Sequence, residues 1–198
     1  MVNNIDTVQI SNPSDVDIAN DPTRQGYKTN FFALGEEVYW RELNVEVTKK
    51  FSKKLKGIFN YSNLVYNQDI IEGKPGNPIV YADVAVADIT YKFNSKNSLR
   101  TEIQGLWTDQ DKGDWATLLL EYSYAPHWFF AVLDQYNYGN KDSKKQLHFY
   151  NVSTGYNDRG TRIMLSYGRQ RAGIFCVGGV CRVVPASNGL YLSVTRTF

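Results

Sequence analysis

From Val38 to Phe198 the sequence alternates apolar and polar side chains, in nine segments of about ten residues with turn residues between them. Alternation at period two puts successive side chains on opposite sides of a strand, so the chain is constrained to a β-sheet with two chemically different faces. The last segment shows this most plainly. Leu190, Leu192, Val194 and Phe198 share one face, and Tyr191, Ser193, Thr195 and Thr197 share the other. Chain ends usually fray in water, so a strand stopping on a free Phe suits a wall between lipid and a polar lumen better than a soluble domain. Arg196 interrupts the apolar face two residues from the end, which is tolerable at the level of lipid headgroups.

The nine segments run at about 38–50, 55–67, 79–93, 98–108, 115–124, 127–138, 146–157, 160–170 and 189–198. The sixth is ambiguous: Trp128, Phe130 and Val132 look outward but carry Asp134 with them, which suggests a bulge or the opposite phase. Connections alternate between short (Ser52-Lys53-Lys54, Asn94-Ser95-Lys96-Asn97, Ala125-Pro126-His127, Asn157-Asp158-Arg159-Gly160) and long (68–78, 109–114, 139–145, 171–188). Short turns on one side and long loops on the other characterise outer-membrane barrels. The expected fold is all-β, an antiparallel up-and-down transmembrane β-barrel. Residues 1–36 are a polar segment with loop chemistry, and 37–198 carry the barrel strands. Barrels of this kind have an even number of strands. A tenth is expected from about Tyr27–Leu34 or from outside this sequence.

Tyr 14, Phe 10 and Trp 4 make the chain aromatic-rich, yet its mean hydropathy is −0.41. Both suit a barrel, in which every second residue faces lipid and aromatics gather at the interfaces. Trp40, Trp107, Trp115 and Trp128 lie near segment ends, as such a belt requires. A net charge of +2 does not indicate a nucleic-acid partner. Met1-Val2-Asn3-Asn4-Ile5-Asp6 has neither a basic start nor an apolar core, so no export signal is read there.

Several stretches carry a resemblance. They are Asp21-Pro22-Thr23-Arg24-Gln25-Gly26-Tyr27, Tyr91-Lys92-Phe93-Asn94-Ser95-Lys96, Gly113-Asp114-Trp115-Ala116-Thr117-Leu118-Leu119-Leu120-Glu121-Tyr122, Ala125-Pro126-His127-Trp128-Phe129-Phe130, Asp134-Gln135-Tyr136-Asn137-Tyr138-Gly139 and Cys176-Val177-Gly178-Gly179-Val180-Cys181-Arg182. Over roughly residues 20–198 the chain resembles a Bacteroidota-type outer-membrane protein family of unknown function. The last strand, Leu190, Leu192, Val194 and Phe198, resembles the signal that the barrel assembly machinery reads. The resemblance implies an outer-membrane location with a periplasmic C-terminus and extracellular long loops. Its partners would be outer-membrane lipid, lipopolysaccharide, the assembly machinery and other outer-membrane proteins. Members are longer and begin with an export signal, so the chain is expected to be their C-terminal section. No activity or cofactor comes with the resemblance.

Among individual residues, Cys176 and Cys181 bracket Val177-Gly178-Gly179-Val180. With Gly178-Gly179 at the centre of a two-residue turn, the cysteines face each other across a hairpin within disulfide reach. A staple on an exposed loop is the favoured reading. Metal binding lacks nearby ligands, and the spacing is not the usual one for a redox pair. Arg169, Arg171 and Arg182 flank this loop as candidate contacts for an anion at the mouth; simple solvation of the rim is the plainer reading. Glu42, Glu46, Lys56, Asp88, Lys92, Arg100, Glu102, Glu121 and Arg162 fall on the lumen face, where they either pair in a narrow barrel or line a channel in a wide one.

The expected function is a passive channel or a structural or accessory barrel, without catalytic or metal-binding residues. Two other classes are weighed against it. One is a secreted soluble β-sandwich that binds glycans through surface aromatics. The other is a barrel-embedded lipid hydrolase, for which His148 with Ser153 or Asn151 is the only sketchable trio. His148 and Ser153 lie five residues apart and so on opposite faces of one strand, which argues against it.

Overall fold

The structure, a computed structural model, describes residues 39–68, 71, 76 and 79–197. Phe198, the polar segment 1–36 and the tenth strand expected at about Tyr27–Leu34 lie outside the described residues. The fold is all-β. The strands are β1 (Trp40–Lys50), β2 (Leu55–Asn67), β3 (Ile79–Lys92), β4 (Asn97–Trp107), β5 (Trp115–Tyr124), β6 (Trp128–Tyr136), β7 (His148–Asp158), β8 (Thr161–Gln170), β9 (Gly173–Val177), β10 (Val180–Val184) and β11 (Ser187–Arg196).

Nine of these form one antiparallel sheet in the order β1-β2-β3-β4-β5-β6-β7-β8-β11, and β9 and β10 form a separate two-stranded hairpin. All nine alternating segments are therefore strands, with ends within about three residues of those expected. Local chemistry sets the short turns. Ser52 Oγ accepts the amides of Lys54 and Leu55, and Asn94 Oδ1 accepts those of Lys96 and Asn97. No closure is found: among the described residues β1 and β11 each pair with a single neighbour. Both run from the long-loop end to the short-turn end.

The ladder between β5, β6 and β7 is continuous, so the sixth strand has no bulge. Trp128, Phe130 and Val132 stay on the outer face, and Asp134 stays with them because His148 Nδ1 lies 2.7 Å from its carboxylate.

The two faces differ as the alternation requires, but in an inverted sense. Outward apolar side chains are exposed: Val132 is 49% accessible, Leu192 63% and Val194 63%. Inward positions hold buried polar groups, among them Thr117, Glu121, Asn151, Ser153 and Ser166. What buries them is the β9–β10 hairpin. Its Phe175, Val177 and Val184 pack with Leu119 of β5, Phe129 and Ala131 of β6 and Met164 of β8 to form a core. Each of these side chains larger than alanine contributes about 1.5–3 kcal/mol when fully buried. The sheet curls about the hairpin, since β5, β8 and β11 all reach it.

The hairpin has the expected register, Val180 opposite Val177 and Cys181 opposite Cys176, and the disulfide joins the latter pair. Gly178 and Gly179 take φ of 62° and 75°, the two left-handed positions of a type I′ turn. Its placement refines the expectation of an exposed staple: Cys181 is exposed, but the hairpin is docked rather than free. Phe175 and Val177 are too apolar to remain in water and carry the hairpin onto the inner face, with Val177 only 2% accessible. Because the turn already sets the register, the disulfide closes a short loop. Replacing Cys176 and Cys181 by Ser should lower stability by about 2 kcal/mol, measured by equilibrium unfolding, without changing the β-sheet circular-dichroism spectrum.

Candidate functional site

The inner face of β4 to β8 and the docked hairpin form the most organised polar arrangement among the described residues. Its centre is the hairpin tip. Arg162, at the start of β8, donates to the Val177 carbonyl at 2.8 Å and the Gly178 carbonyl at 2.9 Å. It also donates to Asn157 Oδ1 at 3.2 Å, and its guanidinium lies 4.7 Å from the centre of the Phe129 ring. From the other side, the Gly178 amide donates to Glu121 Oε2 of β5 at 2.7 Å. Charged groups bonding backbone polar groups make strong hydrogen bonds, and the arrangement leaves the turn's amide and carbonyls satisfied.

Space sets the residue types here. A Cβ on Gly178 would lie 2.6 Å from the Arg162 guanidinium and 2.7 Å from the Phe129 ring. Phe129 itself lies over Gly155 of β7, where a Cβ would meet the ring at 2.1 Å. The tip fits because both positions lack a side chain.

A second cluster adjoins the first on the same face, Arg100 standing opposite Glu121 across the β4–β5 ladder. Arg100 of β4 donates from Nε to Asp88 of β3 at 2.7 Å and bonds Glu102 through its Nη2, while Gln104 donates to Glu102. Of the nine charged residues expected on this face, Asp88, Arg100 and Glu102 are brought together, and Glu121 and Arg162 hold the hairpin. Glu42, Glu46, Lys56 and Lys92 remain exposed on β1 to β3, outside the hairpin's reach.

The three arginines expected at the mouth are split. Arg169 lies 5.0 Å from the Phe149 ring centre and Arg171 4.3 Å from that of Trp115, at the long-loop end. Arg182 instead points from β10 across the interior to Tyr191, at 4.5 Å. Desolvation lowers the Arg171 pKa, and the Asp111 carboxylate opposes the shift. Trp115 departs from the expected belt. Its phase along β5 matches Thr117 and Leu119 rather than Leu118 and Leu120, and it lines the inner side. Trp107 and Trp128 are exposed on the outer face as expected.

Leu190, Leu192 and Val194 of the last strand are all outward and exposed, while Phe198 lies outside the described residues. The hydrolase trio does not assemble. His148 stacks on Tyr136 on the outer face and approaches Asp134, whereas Ser153 is buried on the inner face and donates to Asn151. The hairpin's role as occupant of the inner face leaves no trace in the strand alternation. Its signal is the cluster Phe175, Val177, Val183 and Val184 in a segment otherwise read as a loop.

Residues 4–198 match a family of unknown function (DUF6029), and the chain belongs to that family. No curated protein and no solved structure matches it.

The clamp on the tip yields a direct test. In the intact protein the Gly178 amide should exchange its proton slowly. Glu121→Ala should speed that exchange at least tenfold and cost about 1.5–3 kcal/mol, the range for a hydrogen bond to a charged group, as followed by hydrogen exchange and unfolding.

Proposed function

We propose that the chain forms the wall of a bacterial outer-membrane β-barrel whose interior is filled by its own disulfide-closed hairpin, making it a plugged or structural barrel rather than an open pore. The observation that carries this is the inverted sheet: large apolar side chains exposed outward across β1 to β8 and β11, polar ones buried inward on β5, β7 and β8 beneath the hairpin. A water-soluble sheet exposing this much contiguous apolar surface would associate or aggregate, and a lipid environment removes the penalty.

Three further features support the reading. The strands β4, β5, β7, β8 and β11 are 11, 10, 11, 10 and 10 residues long, close to the roughly 9–11 that a tilted strand needs to cross a bilayer. Outward aromatics gather toward strand ends: Tyr122, Tyr124, Trp128 and Tyr156 at the short-turn end, and Tyr81, Trp107, Tyr136 and Tyr150 toward the long-loop end. Aliphatic residues such as Ile103, Leu118, Leu120, Val132 and Val152 lie between. In this orientation the short turns are periplasmic and the long loops extracellular, with Arg169 and Arg171 at the extracellular mouth. The proposed partners are those lipids, the assembly machinery and other outer-membrane proteins.

The decisive comparison is Leu120→Arg. Against the bilayer midplane it should cost about 2–4 kcal/mol, measured by unfolding from lipid vesicles. On a water-facing surface it would stay within about 0.5 kcal/mol, and that result would sink the membrane reading. Conductance separates plugged from open. In a planar bilayer the refolded full-length protein should be silent, and the double variant Glu121→Ala, Arg162→Ala should show discrete steps. Steady steps from the unaltered protein would show that the hairpin does not close the lumen.

A further inference from the structure

Between the hairpin and the inner wall of β4 to β7 lies a cavity of about 660 Å³. That is the size range of small-molecule sites, about 300–1,000 Å³. We propose that it binds a neutral polyhydroxylated molecule of mono- to disaccharide size.

The strand register lays out the wall. One row across β4, β5, β6 and β7 reads Gln104, Thr117, Gln135, Phe149. The next reads Glu102, Leu119, Leu133, Asn151. On β8 Gly168 pairs with Asn151, and Gln170, two residues further at the end of the strand, lines the cavity at the level of Phe149, while Phe175 faces the wall from the hairpin. Four primary amides thus point to one space. Each amide both donates and accepts, as each sugar hydroxyl does. Leu119, Leu133 and Phe175 supply apolar surface for the C–H faces of a sugar ring.

The charges around the cavity are already engaged. Arg100 is held by Asp88 and Glu102, and Glu121 by the Gly178 amide. Arg171 lies over Trp115, in the opposing field of Asp111. The lining itself holds two charges of each sign, Arg100 and Arg171 against Glu102 and Glu121, so a net charge on the ligand gains nothing.

Gln170 points most directly to a ligand. It is 8% accessible and lines the cavity, yet its Oε1 is buried with no hydrogen-bond partner. Buried carbonyl oxygens normally have a donor, and each one lacking it calls for an explanation. Rotation of the amide toward the cavity would bring that oxygen to a ligand hydroxyl.

The site needs only the folded sheet and hairpin, so it stands apart from the membrane reading, and its failure would leave the Leu120→Arg test untouched. Isothermal titration of the full chain, kept in a zwitterionic detergent because sugar-headed detergents would compete, should show saturable binding of maltose or glucose. Glucuronate should bind at least tenfold more weakly. Gln170→Leu and Gln135→Ala should each weaken maltose binding at least tenfold while the β-sheet spectrum is unchanged. The proposal is overturned by absence of saturable binding of both sugars, by glucuronate binding as tightly as they do, or by both variants binding like the parent.

Discussion

The constraint on which this structure depends is the need to satisfy the backbone of a tight turn carried into a buried place. A hairpin tip brings free amide and carbonyl groups with it, and these are costly away from water unless they are bonded. Glu121 and Arg162 resolve this from opposite sides, one accepting and one donating. Neither charge has to be buried alone, because each is spent on backbone dipoles. The apolar side chains of the hairpin supply the driving force for docking, and the two charges fix how far it goes in. The polar inner face is thereby converted from a surface into an enclosure.

Much of the fold is legible in the residues themselves. Alternations such as Leu118, Leu120, Tyr122 against Thr117, Leu119, Glu121 define strand, face and phase together, because a one-residue slip would reverse every side chain. Even the ambiguous sixth strand keeps its phase, and the reason Asp134 can remain outward is the imidazole of His148 on the neighbouring strand, a contact invisible to a local pattern. The Gly178-Gly179 turn and the pairing of the cysteines are equally local and equally legible.

The site is less so. Glu121 and Arg162 are readable as inward charges, but their partners are main-chain atoms of Val177 and Gly178, and main-chain atoms leave no trace in composition. Where the hairpin docks depends on shape: Phe129 fits over Gly155, and the tip fits beside Phe129 only because Gly178 lacks a side chain. Trp115 shows the complementary error. Proximity to a strand end suggests the belt, while its phase, one residue out from Leu118 and Leu120, puts it inside.

The two edges of the sheet impose an arithmetic of their own. β1 and β11 run in the same direction, so a ladder joining them directly would be parallel in a sheet that is otherwise antiparallel throughout. A second copy in the same orientation would present β1 to β11 and meet the same conflict. An unbroken antiparallel circuit therefore admits only an odd number of strands between those edges. Strand direction alone, without any side chain, thus restricts what could bridge the two edges.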